Sequence, residues 1–158
     1  WRPSIVFGVE DGFFNRFAAM SRISPVLPLI GADTSFQPVY VDDVALAALS
    51  AALGEVPNGI YELGGPDIET FRKLIERMLK VVRRKKLIIN QPMIAAKILS
   101  YNLDMLQIIS FNIFKNFIVT RDQVKQLALD NIVTNNVGTF VDFEITPQSM
   151  DAILESYL

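Results

Sequence analysis

The chain has 158 residues, a net charge of −2, 51% hydrophobic and 20% charged residues, and neither cysteine nor histidine. That composition excludes disulfides, thiolate nucleophiles, Cys/His zinc sites and any catalysis that uses imidazole as its base, and it fits a reducing compartment. With so little net charge there is no cationic field to recruit nucleic acid, and a mean hydropathy of +0.31 calls for a partner surface.

The opening "WRPSIVFG" places the apolar run Ile5-Val6-Phe7 before Gly8, which predicts a strand buried on both faces with a neighbour on each side. Gly8 to Gly12 is a turn. Asp11 is the expected N-cap of a helix with Phe13, Phe17 and Met20 on one side. Pro25 and Pro28 cut the following stretch into short extended pieces, the last being Val39-Tyr40-Val41. In "VDDVALAALSAALGE", Asp42 or Asp43 caps a helix that Gly54 ends.

Pro57-Asn58-Gly59 is a turn, Ile60–Leu63 alternates as a strand, and Gly64-Gly65-Pro66 breaks it. Glu69 or Thr70 begins a long helix whose apolar stripe is Phe71, Leu74, Ile75, Met78, Leu79 and Val82. After Arg83-Arg84-Lys85-Lys86, Leu87-Ile88-Ile89 reads as a short buried strand. Strands alternating with helices in this rhythm predict an α/β fold with parallel pairing.

From Pro92 to Val119 the chain is almost wholly apolar, interrupted by Lys97, Asp104 and Lys115. The 17 residues between those lysines carry Asp104 at their middle, which disfavours a membrane span and favours a buried or interface-facing helix pair. Thr120 starts a helix to about Leu129, and the tail helix caps at Thr146 with Pro147 at its first position. No signal-peptide pattern opens the chain. Its start at Trp1 leads us to expect a fragment in the cytoplasm, peripheral on the inner membrane face, or on the matrix side in a mitochondrion.

Neither a Gly-x-Gly-x-x-Gly fingerprint, a P-loop nor a Tyr-x-x-x-Lys pair occurs. Gly64-Gly65-Pro66 is the nearest phosphate-cradle candidate, and a turn is its expected role. Asp42 and Asp43, being adjacent, do not converge as a general-acid pair, and Glu10-Asp11 has too few oxygen ligands nearby for a metal. The Arg83–Lys86 cluster has the charge to meet phosphate or an anionic membrane, but cations are favourable at any helix C-terminus.

"RPSIVFG", "EDGFFNRFA", "FQPVYVDDVA" and "YELGGP" followed by a long amphipathic helix resemble the C-terminal half of the extended short-chain dehydrogenase/reductase family. The likeness is nearest to its atypical branch, which includes the nucleotide-binding accessory subunit of respiratory complex I and bacterial relatives. It covers most of residues 1–91 and, more loosely, "DFEITPQSMDAIL". The resemblance implies residues 1–91 as the end of a Rossmann-like sheet with substrate-domain elements, and 92–158 as a mainly helical region of the same compact unit. It also implies that the family's nucleotide-binding half and Tyr-x-x-x-Lys helix are missing.

By the same likeness, Pro3, Ser4 and Ile5 are the nicotinamide contacts, while Asp42 and Asp43 support the fold. The cofactor is NADP or NAD in the longer protein, with little or no tight binding by this fragment. Nucleotide-sugar epimerases of the family carry asparagine where this chain has Ile5 and a diphosphate-binding arginine where it has Phe36, so sugar-nucleotide chemistry is disfavoured. The expected role is a non-catalytic binding part associated with complex I, whose partners are the missing half or peripheral-arm subunits. Membrane proximity and self-association are further possibilities, and charges at Ile108 and Ile109 are expected to abolish association. The rival is the substrate-binding half of an NAD(P)-dependent oxidoreductase or epimerase.

Overall fold

The computed structural model describes residues 1–91, 127, 129–134 and 136–158. The apolar 92–119 stretch with Ile108 and Ile109, and nearly all of the helix expected over 120–129, lie outside the described residues.

The opening segment is split into β1 (Arg2–Pro3) and β2 (Val6–Phe7), and each half finds a different parallel neighbour. β1 pairs with β6 (Glu62–Leu63), and β2 pairs with β5 (Val39–Tyr40). Ser4 N–H donates to Leu63 O at 3.0 Å and Ile5 O accepts from Val39 N–H at 2.9 Å, so the join between the halves is itself bonded to both neighbours. β3 (Val26–Ile30) runs parallel to β8 (Leu87–Gln91), and the short β4 (Ser35–Phe36) pairs antiparallel with β7 (Glu69–Thr70). Among the described residues the α/β expectation therefore holds, with three parallel pairs and one antiparallel.

Among the described residues four α-helices accompany these strands: α1 (Phe14–Ile23), α2 (Val41–Ala52), α3 (Phe71–Val81) and α4 (Met150–Tyr157). α3 buries Phe71, Leu74, Ile75, Met78 and Leu79, the five positions a 3.6-residue stripe selects. Thr70 caps it, its hydroxyl accepting from Lys73 N–H. In α1 the deepest line is Phe14, Ala18 and Ser21, with Phe13, Phe17 and Met20 half-buried beside it; the apolar face is turned by one residue from the expected one. Phe13 and Phe17 instead lie over Phe71, at centroid distances of 5.4 and 5.5 Å, joining α1 to α3.

Three capping and burial expectations are corrected. Tyr40, extended at ψ 138°, is the N-cap of α2, so Asp42 and Asp43 fall within its first turn and neither caps it. Asp43 is 2% exposed, and its carboxylate accepts the backbone N–H of Gln148 at 2.8 Å. That bond holds the chain extended past Pro147, and α4 consequently starts at Met150 with Ser149 as N-cap rather than at Thr146. β8 has Ile88 inward but Leu87 63% and Ile89 39% exposed, because successive strand residues point to opposite faces and the Ile88 face is the one that packs on the core.

Two polar links tie distant segments to this core. Arg84, expected as a cation at a helix C-terminus, donates to Ala18 O at 3.1 Å and Ser21 Oγ at 2.9 Å and so fastens the end of α3 to α1. Phe13 rather than Asp11 is the N-cap position of α1, but Asp11 supplies the capping acceptor from two residues before it: Oδ1 accepts from the N–H groups of Phe13, Phe14 and Asn15. Its other oxygen accepts the phenolic hydroxyl of Tyr157 at 2.6 Å, docking α4 on the turn after β2.

Candidate functional site

The residues singled out by the sequence, Pro3, Ser4 and Ile5, lie at the join of β1 and β2. Pro3 and Ser4 line a cleft of about 270 Å³ with Arg2, Glu62, Asn131 and Thr134. Ile5 turns to the other side and packs against the main core.

Ser4 is 8% exposed. Its hydroxyl donates to Asn131 O at 2.7 Å and accepts the Gln37 N–H at 3.1 Å. Asn131 N–H donates to Ser35 O at 2.9 Å, and Gln37 N–H also reaches Asn131 O at 3.2 Å, so residues 130–134 run as a strip beside β4. Asp130 Oδ1 adds a bond from Ser35 N–H at 2.7 Å.

Gln37 is the centre of the arrangement. Its Oε1 accepts Val133 N–H at 3.0 Å while its Nε2 donates to Gly65 O at 2.7 Å, joining the strip to the glycine pair after β6. The glycines are required by this close approach. A Cβ on Gly64 would collide with the Gln37 side chain, and one on Gly65 with the Pro38 carbonyl. Gly64-Gly65 is irregular backbone after β6 rather than the expected turn, and its glycines serve a close approach whose space is filled by Gln37 and Pro38.

At the outer end, Glu62 accepts from the Thr134 N–H at 2.9 Å and hydroxyl at 2.8 Å, with Arg2 3.7 Å away. The Thr134 backbone bond, then its hydroxyl, hold the Glu62 carboxyl below the usual range, with a smaller part from Arg2. Tyr40 is raised, first by its hydrogen bond to Asp42. Phe36, where sugar-nucleotide enzymes place an arginine, is buried edge-on to Phe71 at 6.0 Å and offers nothing to a diphosphate.

A second cleft of about 460 Å³ lies between α3 and α4 beside Arg77, Lys80, Arg83 and Asp151. Arg77 is paired to Asp151 at 2.8 Å, Glu69 at 3.1 Å and Asp67 at 3.3 Å. Burial works against its charge, but these carboxylates raise its pKa overall. Among the described residues no cluster of three or more His, Cys, Asp or Glu could hold a metal ion.

Gln37, Asn131 and Thr134 were not selected by sequence reasoning. Gln37 lies inside "FQPVYV", whose recurrence in the family was its signal. Asn131 and Thr134 had none, since their partners Ser4 and Glu62 are far away in sequence.

No family model matches the chain. It is 36% identical over 154 residues to NADH dehydrogenase (ubiquinone) 1 alpha subcomplex subunit 9, mitochondrial, of Arabidopsis thaliana, covering 94% of this chain and 38% of that protein. The same-named protein of Dictyostelium discoideum is 30% identical over 79 residues, covering 49% of this chain and 22% of its own length. The chain thus spans well under half of each of these relatives. Among solved structures, UDP-glucose 4-epimerase of Thermotoga maritima with UDP-glucose superposes with a TM-score of 0.60 at 18% identity, over 99% of this chain and 43% of that one. In fold the chain superposes on part of that epimerase, and in sequence it is similar to subunit 9 of the complex I alpha subcomplex.

Proposed function

We propose that this chain is a binding and structural part of a reductase-like protein that assembles with respiratory complex I and performs no catalysis itself. The observation that carries the reading is the 36% identity across 94% of the chain to a protein named as a subunit of that complex. The interior of the site agrees with it: the Ser4, Gln37 and Glu62 polar groups are spent on holding the chain's own strip, and no Tyr-x-x-x-Lys pair is present.

In this reading NAD or NADP belongs to the longer protein and this stretch alone binds it weakly or not at all, because it carries no pyrophosphate-binding fingerprint. Residues 1–91 supply the end of the sheet, and the apolar 92–119 stretch is the part that meets a partner. The partners are the rest of the protein and peripheral-arm subunits. The relatives are named mitochondrial, and no described helix is long and apolar enough to cross a membrane, which supports a matrix-side position at or near the membrane.

The epimerase-like fold favours a second reading, the substrate half of an NAD(P)-dependent enzyme. The test is to tag the native protein and ask by mass spectrometry whether complex I subunits accompany it. Recovery without them, together with an upstream Tyr-x-x-x-Lys helix, overturns the structural role in favour of the enzyme.

A further inference from the structure

We infer that Ser4, with Gln37, is a positioning residue that pins the 130–134 strip to the sheet, and that the Pro3–Ile5 side chains donate no hydrogen bond to a nicotinamide ring.

A nicotinamide carboxamide presents one acceptor and one donor group, so a side chain that recognises it through hydrogen bonds must have a free polar atom. Pro3 and Ile5 have no polar side-chain atom. Ser4 has one, and its single proton is already committed to Asn131 O at 2.7 Å while one lone pair accepts Gln37 N–H at 3.1 Å, so Ser4 has no proton to give a ligand. Turning that proton toward a ligand would leave the Asn131 carbonyl short of a donor beside a residue that is 8% exposed, a cost comparable to the bond gained. The segment around Ser4 is also fixed on both sides by Ser4 N–H to Leu63 O and Val39 N–H to Ile5 O, so it cannot turn a different face without breaking the pairing with β5 or β6. The side chains of the triplet therefore donate no hydrogen bond to the cofactor that the fold family implies.

It fits the clamp instead. The strip is held by Ser4 at Asn131, by Gln37 at Val133 and by Glu62 at Thr134, three side chains acting at three positions of one short run. Of these, Ser4 is the most buried, and its loss should be felt at both Gln37 and Asn131.

The experiment is amide hydrogen exchange on the whole protein, comparing wild type with Ser4→Ala and Gln37→Met, followed by titration of each with NADH and NADPH. Ser4→Ala should raise exchange at Gln37 and across 130–134 by about fivefold to tenfold, the size expected for one lost hydrogen bond. Gln37→Met should do so at Val133 without touching residues 3–5. Both variants should keep the wild-type nucleotide affinity within twofold, whether that affinity is tight or undetectable. Unchanged exchange in the strip for Ser4→Ala overturns the clamp, and a loss of nucleotide affinity beyond twofold in Ser4→Ala but not Gln37→Met restores the cofactor contact. Exchange is read without nucleotide and without complex I, so it stands or falls separately from the proposed assembly.

Discussion

Gly65→Ala would place a methyl group on the Pro38 carbonyl oxygen, with Pro38 C at 3.1 Å and Val39 Cα at 3.6 Å. All three obstacles are backbone, so no rotamer change relieves the overlap and the two segments must separate. Separation weakens Gly65 N–H to Gln37 O at 3.3 Å and Gln37 Nε2 to Gly65 O at 2.7 Å. At about 1 kcal/mol for each bond and about 1–3 kcal/mol for overpacking, the loss is about 3–5 kcal/mol. Gly12→Ala is the matched control, since a Cβ there meets nothing within 4 Å, and should change stability by no more than about 0.5 kcal/mol. Urea unfolding of the two variants on one background measures the difference, and Gly65→Ala should lower the midpoint by more than about 1 M. Equal midpoints for the two alanine variants would refute the claim that the glycine pair exists for this close approach.

Asp43→Ala removes the acceptor of Gln148 N–H and should cost about 1.5–3 kcal/mol, while Asp43→Asn, which keeps an acceptor oxygen, should cost less in the same urea assay. Tyr157 is raised well above the usual phenol range, first by burial and then by its bond to Asp11. Its neutral form is thus favoured in the folded state, so its contribution is complete below the unfolded phenol value of about 10 and is lost as pH rises beyond it. Wild-type stability should fall above about pH 10 more steeply than that of Tyr157→Phe, and parallel profiles would contradict the Asp11 contact. Thr134→Val removes one of the two Thr134 donors to Glu62 and should move that carboxyl toward its ordinary range, read by NMR titration; an unmoved titration would mean that the backbone bond suffices.

What was legible in the sequence follows from the range of the forces involved. α3 was readable because its stripe is periodic and its cap, Thr70, is adjacent. Asp11 was readable for the same reason, its bonds to residues 13–15 being local, but its distant partner Tyr157 was not. Asp43 shows the opposite case. Its position ahead of a helix favours capping by local rules, yet a tertiary donor, Gln148, took the carboxylate, and one displaced bond moved the start of α4 from the predicted Thr146 cap to Ser149.

The candidate site divides in the same way. Position Ser4 was found through resemblance, and the glycine pair through its composition. The chemistry of both depends on Gln37 and Asn131, which local pattern cannot connect. The apolar run Leu87–Ile89 marked a strand correctly, but hydrophobicity does not state which face of a strand packs on the core, and Leu87 and Ile89 lie on its uncovered face.

Native mass spectrometry and co-migration of the endogenous protein from gently solubilised mitochondrial membranes test the central claim most directly. The account predicts that peptides from these 158 residues travel in a longer chain together with complex I subunits. A protein that runs free of those subunits and turns over a nicotinamide nucleotide would contradict it.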